Sequence, residues 1–278
     1  MSTPRTIAFI GAGNMANAII GGMLENGFNA DNLWVSAPDD SHLQRIRKQS
    51  GVSVTTDNRY CAQQADIIVL AVKPQIMRSV CEEIAPVVQN TRPLIVSIAA
   101  GLEVDTLDGW LGGGMPIVRC MPNTPSLVGK GSAGLYATDS VGDDQRKAVT
   151  AIFEGVGIAL WVPDEAMLHS ITALSGSAPA YFFLMLEAME EAGDELGVER
   201  EQASRLAIQT MAGAAEMARR GPDEPAQLKR NVMSPGGTTE KAVETFEDGD
   251  LRGLVRRACQ AVIKHSKAMA AQLRDNAS

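Results

Sequence analysis

The residues of this chain best suited to chemistry are glycines and hydroxyls, and they cluster at a few turns. "IAFIGAGNMANAIIGGML" (7–24) places Gly11-x-Gly13-x-x-Ala16 directly after an apolar run and at the opening of a helix. At that spacing Gly11 permits a tight turn and Gly13 removes the Cβ that would block a pyrophosphate. Ala16 then lets helix and strand pack closely. Amides at the helix start would face the phosphates of a dinucleotide; the alternative is a tight turn with no ligand. The next apolar run ends "WVSAPDD" (34–40), with Ser36 and Ala37 where an NAD site usually carries the acid that holds the ribose 2′-OH. Lack of a carboxylate there favours NADP, while Asp39, Asp40 and an Arg45 turned away would weigh against it. "AVKP" (71–74) and "SIAAG" (97–101) offer small residues at later strand ends, and "MPNTP" (121–125) could close the nicotinamide side. Lys73 reads as a supporting charge rather than a base.

A second set of glycines and hydroxyls lies far away, in "SPGGTTE" (234–240). If a helix begins at Thr238 or Thr239, Gly236 and Gly237 form a nest before its N-terminus, with Glu240 or a threonine hydroxyl as cap. Such a place can hold a carboxylate on backbone amides alone; the plain reading is a connector between helices. "LSGSAPAYF" (174–182) is a further turn that opens a helix, a packing junction or a site lining. A general acid or base is hard to find. His42 and His265 read as ordinary helix-surface residues, and His169 lacks an evident carboxylate partner, so it reads as structural.

These turns need elements to position them. Apolar runs at 5–10, 32–36, 51–55, 66–72, 93–98, 116–121, 133–139 and 158–162 alternate with helix-length segments such as 75–89. Several are apolar at nearly every position, as parallel strands covered on both faces are. The alternation predicts an α/β fold with an N-terminal Rossmann-type doubly wound sheet over residues 1–163. After Pro163 the strand signal ends. Helical spacing over 178–196, 199–219 and 250–274 predicts an all-helical C-terminal domain, residues 164–278, whose broad Ala- and Met-rich faces suit packing against a second copy.

Bulk properties narrow the function. The 278 residues carry a net charge of −8, which argues against nucleic acid or an anionic membrane as partner. Four scattered cysteines, Cys61, Cys81, Cys120 and Cys259, give neither a metal-ligand spacing nor a disulfide framework. No apolar run nears the roughly 18–20 residues of a membrane span, and the N-terminus does not read as a signal peptide. The expectation is a cytoplasmic protein with no bound metal.

Taken together, "FIGAGNM", "AVKPQIM", "VSIAAG", "RCMPNTP", "LSGSAPAYF" and "LKRNVMSPGGTTEKAV" resemble the pyrroline-5-carboxylate reductases over nearly the whole chain. The resemblance implies reduction of (S)-1-pyrroline-5-carboxylate to L-proline by NADPH or NADH, and a C-terminal domain that dimerises, commonly within a decamer. It implies cofactor contacts at Gly11, Ala12, Gly13, Asn14 and Met15, at Ser36 and Ala37, and at Asn58. Further ones fall on Ala71, Val72, Lys73 and Pro74, on Ile98, Ala99 and Ala100, and on Asn231. Substrate contacts fall on Glu165, Ser175, Ser177, Ser234, Gly237, Thr238 and Thr239, with the Thr239 hydroxyl at the ring nitrogen as the catalytic contact. Three departures stand out. Ala37 replaces a frequent hydroxyl residue, Arg230 an acid after "LK", and Pro222 a common Glu. A 6-phosphogluconate-type dehydrogenase would need a lysine in the first C-terminal helix, and residues 180–193 contain none. A catalytically silent NADP-binding module would leave "SPGGTT" without a purpose.

Overall fold

In the computed structural model, which describes residues 5–275, the eight apolar runs become strands of one sheet. They are β1 (Ile7–Ile10), β2 (Leu33–Ser36), β3 (Ser53–Thr55), β4 (Ile67–Leu70), β5 (Leu94–Ser97), β6 (Ile117–Met121), β7 (Gly131–Ala137) and β8 (Gly157–Trp161). Their order is β3-β2-β1-β4-β5-β6-β7-β8. All neighbours are parallel except β6 and β7, which run antiparallel. The link from Met121 to Gly131 is too short for the crossover a parallel pair needs, so the antiparallel pairing follows from the loop length. The chain leaves β1 on one side and returns on the other at β4, so the strand order switches beside β1. Ligands bind at that point in open α/β sheets.

Alternate residues of each strand feed two cores. Ile7, Phe9, Ile67, Val69, Leu94 and Val96 face one layer, and Ala8, Ile10, Ile68, Leu70 and Ile95 the other. The first layer is closed by α1 (Asn14–Glu25), α2 (Asp40–Ser50) and later α6 (Asp143–Glu154). The second is closed by α3 (Asn58–Gln63), α4 (Pro74–Thr91) and α5 (Val104–Trp110). Burial on both faces explains why these strands read as continuous apolar runs rather than alternating ones. After β8 come α7 (Met167–Ile171) and a π-helical turn over Thr172–Gly176, closed by a 2.8 Å bond from Ser177 N to Thr172 O.

Two compact units divide the chain. One holds the chain up to Ser177 together with the stretch from Val262; the other is Ala178–Ala261. The second is helical throughout: α8 (Ala178–Glu195), α9 (Arg200–Arg220), α10 (Pro225–Val232), α11 (Thr238–Asp248) and the start of α12 (Leu251–Asp275). Gly197, at φ +85°, supplies the left-handed turn between α8 and α9. No helix among the described residues is long and apolar enough to cross a membrane.

Candidate functional site

The strand ends are tied into one row by backbone bonds between neighbouring loops. Gly11 N donates to Ser36 O at 2.8 Å, Ala71 N to Ile10 O at 2.8 Å, and Ile98 N to Leu70 O at 3.2 Å. Register agrees: Ile10 sits level with both Ser36 and Leu70, and Leu70 with Ser97. The loops expected to take a cofactor, at 11–15, 36–37, 71–74 and 98–100, thus lie side by side at the carboxyl ends of β1, β2, β4 and β5.

The two loop glycines do different work. Gly11 has φ +107°, and a Cβ there would stand 2.6 Å from Ala71 O. It is required by the protein's own packing. Gly13 has an ordinary extended backbone, φ −74° and ψ 178°, and a Cβ on it would meet nothing within 4 Å. The space over Gly13 is open. Gly13 is also the N-cap of α1, so no side chain caps the first turn and its amides remain available. An open face over uncapped amides at a strand-order switch fits a dinucleotide pyrophosphate. Next to them Ala12 is buried, while Asn14 is exposed and Met15 half-buried.

At the end of β2 the roles differ from those expected. Ser36 is fully buried, and its hydroxyl donates to Asn58 Oδ1 at 2.8 Å. Asn58 Nδ2 donates in turn to Glu83 Oε2 at 2.9 Å. Ser36 therefore fixes the orientation of Asn58 instead of presenting its own hydroxyl. His42 is also not a plain surface residue. Its Nε2 lies 2.9 Å from Ala12 O, in the middle of the glycine loop, and Arg45 reaches its Nδ1 at 3.5 Å. The helical period placed His42 on α2 but could not show which loop it faces.

Glu165 lies in a buried polar cluster of the same unit. Its Oε1 accepts from Arg119 Nη1 at 2.6 Å and from Val104 N at 2.8 Å. The Arg119 side chain is 7% exposed. Glu165 thus anchors β6 to the start of α5, and an arginine inside the apolar "PIVRCM" was the overlooked signal. Burial, ahead of the charge of Glu165, pushes the Tyr136 phenol up. His169 is buried, with Nδ1 2.8 Å from Ser266 Oγ. Burial first, then the charges of Arg119 and Lys267, hold its imidazole below the usual value. Asn123, from "MPNTP", accepts from Ser132 N at 2.8 Å and donates to Ser175 O at 3.1 Å. Ser175 gives its hydroxyl to Ile171 O, one turn back, at 3.0 Å.

In the helical unit "SPGGTTE" forms a glycine turn directly before a helix N-terminus, with both glycine amides bonded within the turn. Gly236 has φ +71°, and its N–H donates to Glu240 Oε2 at 2.7 Å, so Glu240 is the cap. Gly237 N donates to Ser234 O at 2.8 Å. α11 then opens at Thr238 with Gly237 as N-cap and no side-chain oxygen on its first turn. The first-turn amides of Thr238 and Thr239 take no side-chain cap. Asn231, on α10, is exposed; it accepts from Gln227 Nε2 at 2.6 Å and donates to Asp223 Oδ2 at 3.3 Å. Among the described residues no group of three His, Cys, Asp or Glu side chains is placed to hold a metal ion.

Two family descriptions match the chain: "Pyrroline-5-carboxylate reductase dimerisation" over residues 165–269 and "NADP oxidoreductase coenzyme F420-dependent" over 6–101. The pyrroline-5-carboxylate reductase of Pseudomonas aeruginosa is 47% identical over 273 residues, 98% of this chain and 99% of the relative. That of Escherichia coli is 38% identical, covering 95% and 98%. Among solved structures, the Coxiella burnetii pyrroline-5-carboxylate reductase superposes with a TM-score of 0.94 at 41% identity, over 96% of this chain and 99% of the other. The Plasmodium falciparum enzyme, solved with NADP bound, gives 0.83 at 33% identity, over 96% and 98%. With that coverage at both ends, and with the glycine loop and the "SPGGTT" turn in place, the chain belongs to the pyrroline-5-carboxylate reductase family.

Proposed function

We propose how this chain performs its family's reaction: residues 1–163 bind the nicotinamide dinucleotide, and residues 164–278 hold the substrate and a second copy of the chain. The reaction is the NAD(P)H-dependent reduction of (S)-1-pyrroline-5-carboxylate to L-proline, the last step of proline biosynthesis. Reduction of this cyclic imine needs a hydride at C5 and a proton on nitrogen. Bound NADPH or NADH supplies the hydride. The imine can arrive protonated, so the chain needs no strong acid, in keeping with its few histidines. Its contribution is then chiefly positioning, an effect that can supply several kcal/mol.

The first turn of α11 carries this reading. Glu240 spends its carboxylate on Gly236 N, which leaves the amides of Thr238 and Thr239 for a carboxylate ligand. In this assignment Ser234 and the amides of Thr238 and Thr239 grip the substrate carboxylate, Gly237 shapes the turn through its own N–H bond to Ser234 O, and the Thr239 hydroxyl meets the ring nitrogen. Ser175 and Ser177 line the same ligand. Glu165 is engaged by Arg119 and Val104 N, so it acts from the support rather than by direct contact. Gly11 to Met15, Ala37, Asn58, Ala71 to Pro74, Ile98 to Ala100 and Asn231 take the cofactor, with Ser36 behind Asn58.

The chain is a homo-oligomer through its C-terminal dimerisation region. Exposed Phe182, Phe183, Leu184, Leu206 and Ile208 on α8 and α9 support that assignment. We place the dimers in a larger ring, a decamer, and the protein in the cytoplasm, where its free cysteines stay reduced. Following nicotinamide absorbance with pyrroline-5-carboxylate tests the activity. Oxidation of the cofactor is expected only when substrate is present, and cofactor binding without turnover would sink the reading.

A further inference from the structure

We propose that Arg45 recognises the adenosine 2′-phosphate of NADPH, and that His42 is the positioning residue which holds Arg45 beside the glycine loop. The proposal rests on the dinucleotide reading above and adds the choice between the two nicotinamide cofactors.

His42 and Arg45 lie one turn apart on α2, the helix that leaves the end of β2, where the adenosine ribose of a dinucleotide is expected. Ala12 O can only accept, so the His42 Nε2 at 2.9 Å carries the proton and donates it. On the other side of the ring, Nδ1 lies 3.5 Å from Arg45 Nη2. The imidazole is a strut from the glycine loop to the guanidinium. Arg45 is therefore turned towards the loop.

The charges nearby fit an anion at this place. Asp39 Oδ1 accepts from Ser41 Oγ at 2.7 Å and from His42 N at 3.1 Å, so this carboxylate serves as the N-cap of α2. Asp40 accepts from Gln44 Nε2 at 3.2 Å. Arg45 forms no ion pair with a carboxylate among the described residues, and its side chain meets the ring nitrogen of His42 instead. A guanidinium without a carboxylate partner keeps its full charge and its N–H donors for a phosphate. Ala37 is buried and leaves no acid at the strand end to compete for the ribose.

Fragment binding to the purified chain tests this without turnover. Calorimetric titration with adenosine 2′,5′-bisphosphate and with 5′-AMP should show the bisphosphate bound more tightly by the wild type. Arg45→Gln should weaken the bisphosphate about tenfold, the loss of one charge-assisted contact, and leave 5′-AMP within about twofold. Arg45→Lys should retain part of the preference, and His42→Ala should lose several-fold in the bisphosphate alone. An Arg45→Gln chain that binds the bisphosphate as the wild type does, or that loses both fragments equally, overturns the proposal. Titration with NADH separates the two readings. A wild type that binds NADH but does not distinguish the fragments sinks only the specificity claim, and one that does not bind NADH sinks the dinucleotide site as well.

Discussion

At the scale of single residues, the two loop glycines separate what folding needs from what binding needs. Gly11→Ala adds a side chain at φ +107° and against Ala71 O. It should destabilise the chain by about 2 kcal/mol or more, read as a lower denaturation midpoint. At Gly13 an added Cβ would meet nothing within 4 Å and the backbone is ordinary, so Gly13→Ala should keep the wild-type melting temperature. NADPH affinity should still fall at least tenfold, as roughly 1.4 kcal/mol corresponds to a factor of ten. Thr239→Ala belongs to the same scale. Removing its hydroxyl should lower kcat/KM roughly tenfold or more at unchanged thermal stability. Wild-type kinetics in that variant would remove Thr239 from the catalytic role.

At the scale of elements, the cluster around Arg119 decides how β6, α5, α7 and the end of α12 are fastened. Arg119→Ala leaves Glu165 without its cation in a largely buried place, so a loss of about 2 kcal/mol is expected in urea unfolding. His169 adds a dependence on pH. Because burial and Arg119 depress its folded value, the unfolded chain binds that proton more readily. Stability from this group is full above roughly pH 6.5 and falls as the pH drops below that. His169→Gln should flatten the decline in melting temperature between pH 7 and pH 5. An unchanged slope would show that other groups set it.

At the scale of the whole molecule, α8 and α9 turn exposed apolar side chains outward. Phe183 is 65% exposed and lines, with Leu184 and Ile208, a groove of about 660 Å³ on the helical unit. Phe183→Asp costs the isolated chain little, since the side chain is already in water. It should nevertheless shift the protein to monomer in sedimentation, because a buried charge at an interface is expensive. Retention of the oligomer would move the interface elsewhere.

The amino-acid order alone determined most of the architecture. Continuous apolar runs and period-3.6 faces are local patterns, written in neighbouring side chains, and they located all eight strands and the long helices to within a few residues. The glycine loop and the "SPGGTTE" turn were legible for the same reason, since backbone geometry at a turn depends on the residues of that turn. What tertiary structure alone decided lies between segments distant in sequence. The burial of Ser36 behind Asn58, the Arg119–Glu165 pair and the reach of His42 to Ala12 join positions 22, 46 and 30 residues apart. No local period encodes such distances; the sheet closes them when its loops are brought into one row.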